Sequence, residues 1–306
     1  EYSPNNVPMK PKHSLPISLR GYKPGDFAMI MGYPGRTNRF LTSYGIEQMV
    51  TKDYPAWVEA SKVAMDVMKK YMDKDQATKI DYASQYASVA NYWKNRQGTI
   101  DAVNKNGTIA DKKKLEAKFE TWALLPENEA IYGGILEDIK ANISQTSERN
   151  KERNYSSQLQ RNAKYIPIAF QLGSVLKTYA DQDEAGRVAM KTKVTDQINR
   201  TYDKLNVKLE GEMLNSMVQL YQQRVGKDVG SPTLLAADAQ NLSTMAFASI
   251  FATKESVMNF VNNPDRLKID ADPLMKMASA FAEDQKLSGE KYAKIDEAFA
   301  KNSRMF

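Results

Sequence analysis

Two patterns of hydrophobic and polar positions divide the chain. Up to about Tyr44, short apolar runs, Leu15-Pro-Ile-Ser-Leu19 and Phe27-Ala-Met-Ile-Met31, lie among recurring prolines and glycines. Runs of that length, bounded by turn residues, predict strands, the second buried on both faces. Tyr33-Pro-Gly-Arg36 has tight-turn chemistry, because proline presets φ and glycine accepts positive φ. Two or three strands do not make a stable sheet alone. These are expected to belong to a sheet completed by other chain.

From about Ile46 the apolar positions recur at three- and four-residue steps. Trp57, Ser61, Ala64, Met65, Met68 and Met72 follow Asp53-Tyr-Pro55, which reads as a helix start with proline in its first turn. Ile80, Ala83, Ala87 and Ala90 predict the buried stripe of the next helix, which breaks at Asn104-Lys-Asn-Gly-Thr108. Leu115, Phe119 and Trp122 mark another helix, ending before Pro126. Residues 127–150 and 154–182 read as long helices, the second kinked by Pro167. Ser231-Pro232 and Asp272-Pro273 each pair a capping side chain with proline at the first helical position. The first is expected to open a helix reaching about Phe251, and Ser288 to cap the last helix, Glu290 to Asn302. No 20–50-residue period repeats and no strict heptad persists, which argues against solenoids and coiled coils. The fold class is therefore mainly α: an irregular multi-helix bundle of about eight to ten helices, with a short β segment at the N-terminus.

Composition narrows the chemistry. With 306 residues, 42% of them hydrophobic and 26% charged, the chain can bury a large core. No apolar run approaches the ~20 residues of a membrane-spanning helix. The absence of cysteine excludes thiolate nucleophiles, disulfides and thiolate metal sites. A single histidine, His13, argues against zinc, and no cofactor is expected. The net charge of +6 is concentrated in residues 1–40, where Lys10, Lys12, Arg20, Lys23, Arg36 and Arg39 outnumber Glu1 and Asp26. The remainder is nearly balanced, without the clustered basic surface that nucleic acid requires. Glu1 stands first and no charged-then-apolar leader follows, so the chain reads as a mature or excised piece.

A serine-protease triad needs a base and a group that orients it. His13, flanked by Pro11, Lys12 and Pro16, has neither context, and is expected to be an exposed or packing residue. Gly32-Tyr-Pro-Gly35 does not match a phosphate-binding loop. Ser88-Val-Ala-Asn-Tyr-Trp-Lys-Asn95 is more suggestive. On a helix, Asn91 falls at the edge of the predicted stripe and Lys94 near its middle. Two readings stand for Asn91: it caps a packing contact, or it looks into a cavity, where a neutral carbonyl suits a cationic amine. The 15 methionines, at helical spacing, are read as core.

Gly25-Asp-Phe27, Met31-Gly-Tyr-Pro-Gly-Arg36, Glu47-Gln-Met-Val-Thr-Lys-Asp-Tyr-Pro55 and Ala90-Asn-Tyr-Trp-Lys94 occur in an order and spacing that is informative together. The chain resembles, over nearly its whole length, the serine dipeptidyl-peptidases of the dipeptidyl-peptidase 7 and 11 type. That resemblance implies a chymotrypsin-like double β-barrel carrying His, Asp and Ser, with an inserted helical domain over the active-site cleft. It also implies removal of dipeptides from free peptide N-termini, a periplasmic or cell-surface location, homodimers, and no metal. In that frame residues 1–45 are the end of a barrel and connecting strands, and residues 46–306 the helical insertion. The triad segments would lie before Glu1 and after Phe306, so the chain alone is expected to be inactive. Its partners would be the substrate N-terminus, the remaining barrel and a second copy. Asn91 corresponds to a helical-domain asparagine that helps hold the substrate's α-amino group. The competing expectation is a free-standing helical interaction module without enzymatic activity.

Overall fold

The computed structural model describes residues 4–27, 29, 31, 32 and 40–305, and the chain divides into two compact units, 1–39 and 40–306. In the first unit Lys23-Pro-Gly-Asp26 closes as a turn. The Asp26 amide donates to the Lys23 carbonyl (3.1 Å), and the Asp26 carboxylate accepts from the Lys23 amide (2.7 Å). Gly25, at φ 94°, fills the third position, where a type II turn requires positive φ. The described residues of this unit contain no strand, which corrects the expectation for Leu15–Leu19. Leu15, Ile17 and Leu19 are exposed, and no second strand among the described residues supplies the ladder hydrogen bonds. The Phe27–Met31 run lies partly, and the turn at Tyr33–Arg36 wholly, outside the described residues.

The second unit is helical. Helix α1 (Ser43–Gln48) continues through a π-helical turn (Met49–Asp53) into α2 (Tyr54–Met72), followed by α3 (Gln76–Asn106) and α4 (Thr108–Ala123). Then come α5 (Pro126–Tyr132), α6 (Ile135–Asn162), α7 (Tyr165–Ala180), α8 (Glu184–Tyr202) and α9 (Val207–Arg224). Four short helices, α10 (Pro232–Ala236), α11 (Leu242–Phe247), α12 (Lys254–Asn262) and α13 (Arg266–Ala271), precede the long α14 (Pro273–Met305). No helix among the described residues is long and apolar enough to cross a membrane.

Helix α2 is the central element, packed against α3, α6 and α9. Ala60, Ala64 and Met68 are fully buried, and the alanines let neighbouring helices approach closely. Burying a side chain such as Met68 contributes about 1.5–3 kcal/mol. Helices α6 and α7 in turn carry the N-terminal half of α14, which buries Leu274, Met275, Ala278 and Phe281.

Several boundaries differ from the sequence expectation for identifiable reasons. Helix α2 starts at Tyr54 with Pro55 in its first turn, as read from the sequence, but the helical run begins earlier: it enters at Thr42, whose Oγ1 accepts the Gly45 amide. Pro55 lacks an N–H and crowds the carbonyl four residues back. The preceding turn is widened, with the Tyr54 amide bonded to the Met49 carbonyl. Pro167 falls in the first turn of α7, where its missing N–H breaks no helical bond, so the helix starts there instead of kinking. Helix α6 runs unbroken through residues 150–154.

Ser231 caps α10 as expected, accepting the Leu234 amide (3.2 Å). That helix stops at Ala236, however, because the Gln222 amide takes up the carbonyls of Leu234 (2.8 Å) and Ala237 (2.7 Å). Asp272 caps α14, accepting the Leu274 and Met275 amides at 3.0 Å each. Helix α14 passes straight through Ser288 and Gly289, so no cap forms at Ser288.

Candidate functional site

The widened turn before Pro55 brings Asp53 against α6. Its Oδ1 accepts from Gln48 Nε2 (3.0 Å) and Asn154 Nδ2 (3.3 Å). Burial raises its pKa above the ordinary aspartate value, and the Gln48 bond partly offsets this. Asn154 accepts, through Oδ1, the indole N–H of Trp57 on α2. The chain Gln48–Asp53–Asn154–Trp57 therefore fixes the plane of the indole between two helices.

Arg96 of α3 lies over that indole, its guanidinium carbon 3.9 Å from the ring centroid and 5.3 Å from the rings of Tyr54 and Tyr92. Arg161 of α6 approaches two of the same rings, 4.8 Å from Tyr92 and 5.9 Å from Trp57. Tyr92 and Trp57 sit 6.0 Å apart and tilted at 52°. Each helix contributes residues of one face: Tyr54 and Trp57 three apart, Tyr92 and Arg96 four apart, Asn154 and Arg161 seven apart. Burial holds the Arg96 guanidinium below the ordinary arginine range, and the charge of Arg161 acts in the same direction. The cluster stays open to water, with Tyr92 37% exposed and Arg161 exposed.

Asn91 immediately precedes Tyr92 on α3. It is exposed, and among the described residues no side-chain hydrogen bond engages it. Lys94 is exposed and does not lie in an apolar stripe. The predicted stripe itself is displaced. Ile80 is 67% exposed, and Ala83 and Ala87 face water; of the four predicted positions Ala90 packs, half-buried, against the core, while Thr78, Tyr82 and Val89 are buried. Tyrosine and valine offer more apolar area than alanine, so they decide which face turns inward. His13 is exposed. Arg96, Arg161 and Trp57 were not singled out together from sequence. The within-helix spacing was legible, but their convergence across three helices was not.

The sequence profile of the peptidase S46 family matches residues 1–306. The chain belongs to the peptidase S46 family. This S46 chain is 39% identical over 286 residues to dipeptidyl-peptidase 7 of Capnocytophaga gingivalis, a match covering 90% of the chain and 40% of that relative. It is 29% identical over 279 residues to the Asp/Glu-specific dipeptidyl-peptidase of Flavobacterium psychrophilum, covering 91% of the chain and 38% of the relative. The crystal structure of Porphyromonas endodontalis DPP11 in complex with the dipeptide Arg-Glu superposes with a TM-score of 0.81 at 25% identity. That superposition covers all of this chain and 45% of DPP11. The S46 chain therefore spans less than half the length of the relatives it matches.

Proposed function

We propose that this chain is the non-catalytic helical part of a serine dipeptidyl-peptidase that removes dipeptides from free peptide N-termini. In this reading it covers the active-site cleft, and Asn91 accepts a hydrogen bond from the substrate's α-ammonium group. The observation that carries it is that 90% or more of the chain matches less than half of dipeptidyl-peptidase 7 of Capnocytophaga gingivalis and of the DPP11 structure. The exposed position of Asn91, with a side-chain carbonyl available, supports its role. So does the chemistry: a neutral acceptor binds an amine without introducing a second charge that must be desolvated. Release of dipeptides requires measuring two residues from a charged terminus. A lid that binds that terminus and excludes water would position the scissile bond. The catalytic barrel, homodimerisation and a periplasmic or cell-surface location belong to the same proposal, inherited from the family resemblance.

The test is kinetic. Asn91→Ala in the full-length peptidase carrying this chain is expected to lower kcat/KM about ten- to a hundredfold. That is the loss of one hydrogen bond to a charged group, roughly 1.5–3 kcal/mol. Fluorogenic dipeptide substrates with free and with acetylated N-termini separate this role from general damage. If Asn91→Ala cleaves the free-amine substrate at the unmodified rate, the assignment is wrong.

A further inference from the structure

Arg96 and Arg161 are held by ring faces. Both guanidinium groups approach the rings of Trp57 and Tyr92, from different helices. Among the described residues no carboxylate lies within ion-pair distance of either. Three arginines have such partners: Arg149 pairs with Asp296, Arg224 with Glu59, and Arg266 with Asp181 and Asp270. Among the described arginines without one, Arg96 and Arg161 are distinguished by gathering on the same two rings. Aromatic faces attract a cation but do not neutralise it. They leave the terminal N–H groups of the guanidinium to donate elsewhere, while the Nε of Arg96 is buried with no acceptor and is not itself presented to a ligand. Two like charges sharing the same two rings, with terminal donors unspent, make a local positive potential that an anion would relieve.

We propose that Arg96 and Arg161 form a carboxylate-binding site at the convergence of α2, α3 and α6, with Trp57 and Tyr92 as its rigid walls. A carboxylate fits the forked donors of guanidinium groups better than a point cation would hold it. The family's substrates are peptides, whose anionic groups at neutral pH are side-chain and terminal carboxylates. The carboxylate comes from one of two sources: a bound peptide, or the polypeptide that completes the protein. The proposal does not depend on the role given to Asn91.

Trp57 is a built-in reporter, because a carboxylate that draws Arg96 or Arg161 changes the stacking on its ring. The fluorescence of this chain is titrated with acetyl-glycyl-glutamate amide, its glutamine analogue, propionate and inorganic phosphate. A saturable change with the glutamate peptide and none with the glutamine analogue is expected. Binding of the peptide more tightly than propionate identifies peptide as the source. Equal, weak binding of both identifies a carboxylate supplied by the protein at high effective concentration. Arg161→Gln, an exposed substitution, weakens the response about tenfold or more, and Arg161→Lys retains part of it. The response disappears in Trp57→Phe and declines with ionic strength. No saturable response, an unchanged response in Arg161→Gln, one that survives Trp57→Phe, or stronger binding of phosphate than of carboxylate would overturn the assignment.

Discussion

The hydroxyl of Tyr82, on α3, donates to the wholly buried carboxylate of Glu210, on α9, at 2.7 Å. The same carboxylate accepts the Lys164 amide (3.2 Å) and faces the Lys164 ammonium (3.1 Å), which also lies 4.2 Å from the Tyr82 ring. The Tyr82 oxygen in turn accepts the Asn206 amide (3.1 Å), so one phenol joins α3, the start of α7 and the start of α9. Burial and then the Glu210 charge push its pKa well above the ordinary tyrosine value. A buried carboxylate is tolerated only while its oxygens are bonded.

Tyr82→Phe keeps the ring and removes that donor. It should destabilise the fold by about 1.5–3 kcal/mol, the range for a hydrogen bond to a charged group. Denaturant unfolding reads this as a lower midpoint at unchanged slope. An unshifted midpoint would mean that Lys164 alone satisfies Glu210.

Two helical glycines should respond oppositely to alanine. A Cβ on Gly173 of α7 would lie 2.3 Å from Met275 Sδ and 3.3 Å from Phe251. Met275 is 4% exposed and Phe251 fully buried, so neither can move aside. Gly173→Ala should cost about 1–3 kcal/mol by overpacking. A Cβ on Gly211 of α9 meets Phe247 at 2.5 Å, a ring that is 44% exposed and can swing outward, and Ser243 Cβ at 3.1 Å, which requires the short helix α11 to give by a few tenths of an ångström. Gly211→Ala should be neutral or stabilising by up to about 1 kcal/mol, through helix propensity. Thermal unfolding of both variants tests the contrast, and equal effects would refute it.

What the sequence disclosed follows the range of the forces involved. Caps at Ser231 and Asp272 were legible because the donors they satisfy lie two or three residues away. The stripe of α2 was legible because Ala64, Met65 and Met68 leave little choice of buried face. On α3 small alanines mimicked a stripe that Tyr82 and Val89 overruled, since only partners on α2 and α9 determine which face is covered. The end of α10 depends on Gln222, more than ten residues away, and no local signal announces it. The arginine–aromatic cluster is likewise a product of three helices meeting, while Asn91 was placed at the edge of the α3 stripe by its spacing and tied to the substrate amine through resemblance.

Helix α14 extends well beyond its buried N-terminal half, and Arg149 of α6 holds the distal part. Its Nη1 and Nη2 donate to the two oxygens of Asp296 at 2.8 and 2.7 Å, and Tyr292 lies 4.9 Å from the guanidinium. The side chain of Arg149 is only 4% exposed, that of Asp296 45%. Breaking a fully buried pair costs about 3–5 kcal/mol, but water reaches Asp296, so Asp296→Asn should cost about 1–2 kcal/mol. Hydrogen exchange should quicken selectively in residues 290–305. Uniform exchange along α14 would show that this pair does not anchor it.

Acid should act on the junction of α2 and α9. Glu59 accepts from Arg224 Nε and Nη2 (2.8 and 2.6 Å) and from the Tyr155 hydroxyl (2.7 Å). The Arg224 bonds, aided by Tyr155, hold its pKa below the ordinary glutamate value despite partial burial. A carboxyl depressed in the folded state binds its proton more readily when unfolded. Its contribution to stability is complete above the unfolded value, about 4.3, and is lost as pH falls through the folded value. Glu59→Gln should therefore be less stable than the unmodified chain at pH 7, with the difference shrinking from about pH 5 downward. Unfolding midpoints measured across that window test this, and a difference that stays constant with pH would show that the effect of the substitution is not ionic.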